Sequence, residues 1–387
     1  MMWDGIYLDY AATTPVDQRV LEAMLPYFRE TFGNPSSIHR WGQKSEAAVE
    51  QARNKIAQLM GCSASEILFT SCGSESDNFA LRGVAYHALK SRGARHILIP
   101  PVEHHAVLRT AQDLAENHGF DLEYLPIDPF GSVSAEDLES RIRSDTAIVS
   151  IMYANNEIGT INPIQELAAI CRAKNVPFHT DAVQAASQLS IDVKSLDVDL
   201  MSIGAHKFYG PKGVGALYVR SGVDLLSIQT GGSQEAALRA GTHNVPLIVG
   251  MAKALEITVM DREVFNQHYQ HLRDQIFSFV QRHIPDVHIS GHPQMRLPNH
   301  ASFVFKGIDG NQLLIALDIA GIGCSSGSAC KTGNPEPSDV LKAIGIEDEW
   351  ALGSLRVTVG RQTTQGDIDT FLEVLPDIIL KLRRTHG

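Results

Sequence analysis

The sequence predicts an α/β fold followed by a smaller α+β domain, and three observations carry that reading. Short apolar, β-rich segments recur between helix-like stretches from residue 66 to residue 220. The stretches between them place apolar residues three and four apart, as in Ala48, Ala52, Ile56 and Leu59. Beyond Gly241 the pattern changes to long helical runs and then a short mixed set.

In chain order the strand candidates are residues 66–71, 96–100, 122–127, 146–153, 176–181, 200–204 and 214–220. Glu46, Glu50, Arg53 and Lys55, on the helix that precedes the first of them, read as its solvated face. The long helical runs cover 245–260 and 262–284. The mixed set holds strand candidates at 301–305 and 355–359 and helix candidates at 311–320 and 367–383. A domain boundary is expected within the long helices.

With 387 residues, 44% hydrophobic and 20% charged, the chain can bury a substantial core and is expected to form two domains. A formal net charge of -11 argues against a nucleic-acid-binding surface as the main function. No apolar run approaches the roughly 20 residues of a membrane span, and the first residues lack the basic and apolar regions of a signal peptide, so a cytoplasmic location is expected. Cys62, Cys72, Cys171, Cys324 and Cys330 are an odd set in a large chain, which favours reduced thiols over a disulfide framework.

Lys207 lies between a polar run and a glycine-rich turn, where an amine is well placed to form an imine with an aldehyde. That chemistry points to pyridoxal 5′-phosphate. Upstream, an apolar stretch delivers Asp181 and then Gln184; a carboxylate is the partner that keeps such a cofactor's ring nitrogen protonated, although an aspartate at a strand end also serves as a helix cap. The turn Thr70-Ser-Cys-Gly-Ser-Glu-Ser-Asp-Asn78 follows a strand and opens a helix, so its free N–H groups and hydroxyls suit a phosphate, or form a plain capping box. Asn155 follows a strand end, where its amide suits a cofactor or substrate oxygen, or a turn. Arg356 lies in a strand pattern, where a guanidinium can hold a carboxylate in a bidentate way or face solvent. Cys330 lies in a run of Ser, Gly, Ala and Pro that reads as an exposed loop, beside Lys331.

Together the motifs Leu8-Asp-Tyr-Ala-Ala-Thr-Thr-Pro15, Asn34-Pro-Ser-Ser-Ile-His39, Glu75-Ser-Asp-Asn78, Glu103-His104, Asn155-Asn-Glu-Ile-Gly159, the Asp181 and Lys207 segments, Ser325-Ser-Gly-Ser-Ala-Cys330 and Leu355-Arg356 resemble those of the cysteine desulfurases, in the class V aminotransferase family of fold-type I enzymes. The resemblance runs almost end to end. It implies a large domain over residues 16–258, with a mostly parallel sheet flanked by helices. The small α+β domain then comprises residues 1–15 and 259–387.

The resemblance also implies a homodimer that converts L-cysteine to L-alanine and leaves the sulfur as a persulfide on Cys330. An acceptor protein would take that sulfur, either an iron–sulfur scaffold or a tRNA-thiolation relay. It implies that Gly73 and Ser74 hold the cofactor phosphate and that His104 stacks on the ring and moves protons. Gln184 and Asn155 would meet the phenolate oxygen, and Arg356 with Asn155 the substrate carboxylate. Three positions depart from the family pattern: Cys72 for glycine, Gly204 for a hydroxyl residue, and the stretch Ser233-Gln-Glu-Ala-Ala237. His206 and Thr242, the latter reaching in from the neighbouring subunit, are expected to compensate for Gly204. His104-His105 has no Cys or His partners at ligand spacing, so no metal is expected. A selenocysteine or cystine lyase, an aminotransferase, or a non-turnover scaffold of a sulfur-transfer complex are the alternative readings.

Overall fold

A computed structural model describes residues 5–327 and 336–386. Its strands are β1 (Ile6–Tyr7), β2 (Ile67–Thr70), β3 (His96–Ile99), β4 (Asp121–Tyr124), β5 (Thr146–Ser150), β6 (Phe178–Asp181), β7 (Leu200–Gly204), β8 (Gly215–Val219), β9 (Val287–Ile289), β10 (His300–Phe305), β11 (Ile322–Gly323) and β12 (Ser354–Thr358). Seven of them form one sheet in the order β2-β8-β7-β6-β5-β3-β4. Only β8 runs against its neighbours; the other pairings are parallel.

The inner strands β3, β5 and β7 are mainly apolar because helices cover both of their faces. Every residue of β3, β5, β6 and β7 is buried. β4, at the edge, is only partly covered and carries Asp121 and Glu123, charges that discourage pairing with another chain. One apolar layer packs Ile56, Met60, Leu167 and Leu255 beneath the sheet, and a second packs Phe79, Val84, Val107 and Leu114 above it. Left-handed glycines end three of the covering helices, Gly61, Gly93 and Gly119, where any side chain would strain the backbone.

The two long helical runs prove to be a single helix, Val245–His283. No glycine or proline stands between residues 260 and 262, so nothing in the backbone ends the first run. Its N-terminal half packs in the large core as far as Ile257, while Tyr269, Leu272 and Ile276 belong to a second core with Leu8, Phe303, Leu355 and Phe371. One helix therefore serves both cores. The N-terminal arm joins the second core through β1, which pairs with β11, and β9, β10 and β12 form a small antiparallel sheet.

Arg53 corrects one sequence expectation. It is buried rather than solvated, and its guanidinium grips Glu235 through two hydrogen bonds of 2.7 and 2.8 Å. A partner 182 positions away leaves no trace in helical periodicity.

Candidate active site

The C-terminal ends of the parallel strands open onto one cavity of about 280 Å³, as expected for an α/β sheet. β6 ends at Asp181, β7 leads through Gly204 and Ala205 to His206 and Lys207, and β3 leads to His104. Gly73, Ser74, Gln184 and Arg356 also line it.

Lys207 Nζ donates to the carbonyls of Ala11 and Ala12, at 2.5 and 2.8 Å, so the N-terminal arm forms the cavity floor. Burial, then the nearby Arg356 charge, pull the amine down to about 8. A substantial neutral fraction therefore exists near physiological pH. Gln184 Nε2 donates to the same Ala11 carbonyl at 2.8 Å. Asp181 is buried, with Oδ1 accepting from Val183 N at 2.8 Å. Its pKa is raised by burial, against the lowering pull of His104 and Lys207. His104 caps the helix His105–His118, its Nδ1 accepting from Ala106 N at 3.1 Å. That bond assigns any proton of the neutral ring to Nε2, and desolvation favours the neutral form. His206 is likewise held neutral, pulled down to about 4 chiefly by burial, and contacts Thr13 Oγ1 at 3.1 Å.

The helix Gly73–Arg92 starts at the cavity, and Cys72 at its N-cap makes no side-chain capping bond. Its first-turn N–H groups and the exposed Ser74 are thus presented to an anion. A Cβ at Gly73 would stand 2.5 Å from Val183, so glycine lets the helix start lie against the loop after β6. Arg356 is buried, donates to Asp9 at 2.8 Å and to the Asn156 carbonyl at 3.0 Å, and its Nε finds no partner among the described residues.

Two expected residues stand elsewhere. Asn155 is buried in a turn: its Oδ1 accepts from the Glu157 and Ile158 amides, and its Nδ2 meets the Val102 carbonyl and Met152 sulfur. Its amide holds the turn, and Asn156 lines the cavity. Thr242 lines a separate surface cleft with Tyr27, Phe28, Phe32 and Asn34. Cys330 and its neighbour Lys331 lie outside the described residues.

Sequence reasoning passed over Asp77 and Asp9. Asp77 lies one helical turn beyond Gly73, on the same face, and that spacing was a usable signal. It is buried, its Oδ1 has no partner among the described residues, and burial beside Asp181 raises its pKa well above the carboxylate range. Nearby His179, pulled down to about 3 by burial, approaches Asp77 Oδ1 at 3.7 Å. Asp77, His104 and Asp181 bring ligating atoms within 4.8 Å of one another. Asp9 meets Arg356 from 347 positions away, which no local pattern reveals.

This donor set fits pyridoxal 5′-phosphate: a buried lysine with a lowered pKa, a buried carboxylate for a ring nitrogen, and an uncapped helix start for a phosphate. Fold and cavity together define a fold-type I enzyme that depends on this cofactor. Residues 6–371 match the aminotransferase class-V family model, and the chain belongs to that family. A cysteine desulfurase IscS of Dictyoglomus turgidum is 49% identical over 378 residues, 98% of this chain and 95% of the relative. One of Methanosarcina thermophila is 48% identical over 379 residues, 98% of this chain and 93% of the relative. Among solved structures, a NifS-like protein superposes with a TM-score of 0.91 at 40% identity, covering 98% of this chain and 100% of the other. A protein described as SspA in complex with cysteine gives 0.79 at 35% identity, covering 92% and 98%.

Proposed function

We propose that this chain is a cysteine desulfurase, in which L-cysteine and the Cys330 thiol yield L-alanine and a Cys330 persulfide. The observation that carries the reading is the meeting in one cavity of the Lys207 amine, the buried Asp181 carboxylate and the Arg356 guanidinium. The names of its relatives bring cysteine to this site. When bound, the cofactor supplies an electrophilic aldehyde and a ring that stabilises negative charge on the substrate carbon.

Lys207 is the attachment point, and Asp181 holds the proton on the ring nitrogen. Gly73 and Ser74 hold the phosphate at the helix start, with His206 beside them and Gln184 near the ring oxygen. Arg356 orients the amino acid through its carboxylate. His104 Nε2 and the Lys207 amine move protons, since both groups are poised to be neutral near pH 8. The Cys330 thiolate attacks the substrate sulfur; the carbon–sulfur bond breaks, its electron pair stays with the carbon, and a proton completes alanine. The sulfur passes on to an acceptor protein of iron–sulfur assembly or tRNA thiolation.

Incubating cofactor-loaded protein with L-cysteine, then quantifying alanine and mapping sulfur adducts by mass spectrometry, tests this reading. Alanine with a Cys330 adduct is expected, as is full turnover after dialysis against a chelator. Cys330→Ala should still bind cysteine but lose sulfur transfer. Unchanged turnover in Cys330→Ala would favour an aminotransferase.

A further inference from the structure

β5 ends at Ser150, and the backbone that follows it is held from both sides. On one side Ile151 N donates to the His179 carbonyl at 3.1 Å and Tyr153 N to the Asp181 carbonyl at 2.9 Å, so the chain stays in register with β6 as far as the cavity. Amides of an extended chain alternate in direction, which turns Met152 N the other way, toward β3. β3 has ended by then, at Ile99, and the Pro100-Pro101 pair that follows has no N–H with which to continue a ladder. A side chain takes its place: Glu103 Oε1 accepts from Met152 N at 2.6 Å.

Glu103 is buried, and this is the hydrogen bond its carboxyl makes among the described residues, Oε2 having no partner there. Burial raises its pKa well above the usual carboxylate range, with the Met152 amide opposing and Asp181 reinforcing the shift. The bond survives in either protonation state, because the carboxyl oxygen is the acceptor. A second tie lies beside it, from Asn155 Nδ2 to the Val102 carbonyl at 2.9 Å. Residues 102 and 103 are thus pinned to the chain beyond β5, immediately before His104. The His104 ring is itself fixed by the 3.1 Å bond from Ala106 N to its Nδ1. His104 and Asp181 both line the cofactor cavity, with a ring nitrogen and a carboxylate oxygen within 4.8 Å of each other.

We propose that Glu103 is a positioning residue for His104: its carboxyl carries the β3–β5 ladder past the end of β3 and so registers the imidazole against Asp181 across the cavity. The proposal rests on the assignment of His104 as a proton carrier at the cofactor. The backbone from Ile151 to Tyr153 meets the Asp181 carbonyl on one edge and the Glu103 carboxyl on the other, so one short segment sets the spacing of two groups that stand on different strands. Proton transfer depends on such registration, since a misplacement of about 1 Å costs about a hundredfold in rate.

The test compares apoprotein and cofactor-loaded holoenzyme of the wild type with Glu103→Met, Glu103→Gln and Glu103→Asp. Diethyl pyrocarbonate modifies neutral imidazoles, and tandem mass spectrometry of the peptide reads the rate at His104 and, separately, at His105, which does not line the cofactor cavity. The readout is the protection that pyridoxal 5′-phosphate gives His104, taken as the ratio of the apoprotein rate to the holoenzyme rate. Wild type should be protected. In Glu103→Met, which fills the space without accepting the bond, protection should fall about fivefold, the population change that loss of one ordinary hydrogen bond produces. Glu103→Gln, whose amide oxygen accepts from Met152, should keep the wild-type ratio, and His105 should keep its ratio throughout. Unaltered protection in Glu103→Met would overturn the proposal, as would an equal loss in Glu103→Gln, a parallel change at His105, or a wild-type His104 that the cofactor leaves unprotected. Should Glu103→Met not fold, Glu103→Asp, one methylene too short to reach Met152, supplies the same ratio. Absence of alanine from the wild type would instead overturn the desulfurase reading, while the protection ratios would still decide the role of Glu103.

Discussion

At Lys207 the balance between burial and charge sets when the amine reacts. Only a neutral amine attacks an aldehyde, and burial beside Arg356 lowers this one from 10.5 to about 8, with Asp181 and Asp9 opposing. Uptake of pyridoxal 5′-phosphate by apoprotein should therefore accelerate about tenfold between pH 7 and pH 9 and level off above, as stopped-flow absorbance would show. A pH-independent rate would contradict the lowered value. The unfolded amine keeps its proton to higher pH than the folded one, so this group's contribution to apoprotein stability rises with pH between about 8 and 10.5. Gly204 is a second informative residue. A Cβ there would meet the Gly73 amide at 3.4 Å and Val183 at 3.6 Å, which is enough room for a serine at the helix start. Gly204→Ser should tighten cofactor binding about fivefold by adding one hydrogen bond of about 1 kcal/mol; tighter binding by wild type in an apoprotein titration would sink the idea.

Among the elements, the short turn at Glu235–Ala237 carries unusual strain. Glu235, Ala236 and Ala237 all have positive φ, at 49°, 55° and 62°. Side chains disfavour that region by about 1 to 2 kcal/mol per residue. The buried Glu235 carboxylate holds the turn in place: it takes two bonds from Arg53, one from the Phe69 amide at 2.9 Å and one from His243 at 2.5 Å. These partners, Arg53 first among the favourable ones, outweigh burial and lower its pKa to about 2. Ala236 and Ala237 are exposed and carry no such compensation. Ala237→Gly should raise stability by about 1 kcal/mol in urea unfolding, because glycine relieves the backbone without loss of packing. A lower midpoint would mean the alanine methyl packs usefully. Glu235→Ala should be severely destabilising, since it leaves the Arg53 guanidinium buried and unpaired.

Over the whole molecule, apolar surface concentrates where the chain alone does not cover it. Phe28, Phe32, Ile38 and Trp41 are exposed, Ile38 by 92%, and the cleft that holds Thr242 opens among Phe28 and Phe32. This surface supports the homodimer we infer, in which Thr242 serves the neighbouring cavity. Sedimentation should give twice the chain mass, and Phe32→Glu with Trp41→Glu should yield monomers that retain cofactor poorly. A wild-type monomer with full cofactor occupancy would refute both parts. No helix among the described residues is long and apolar enough to cross a membrane.

The sequence by itself determined the α/β class, the seven large-sheet strands and the residues around Lys207, because buried strands, glycine-rich turns and strand-end side chains leave local patterns. Asp181, His104, Gly73 and His206 reach one cavity for the same reason: each stands just beyond a strand end or at a helix start. Tertiary structure alone decided the rest. It paired Arg53 with Glu235 and Arg356 with Asp9, and brought Ser338 to Glu157. Those contacts join positions far apart in the chain, and their strength comes from shared burial, which no local spacing encodes.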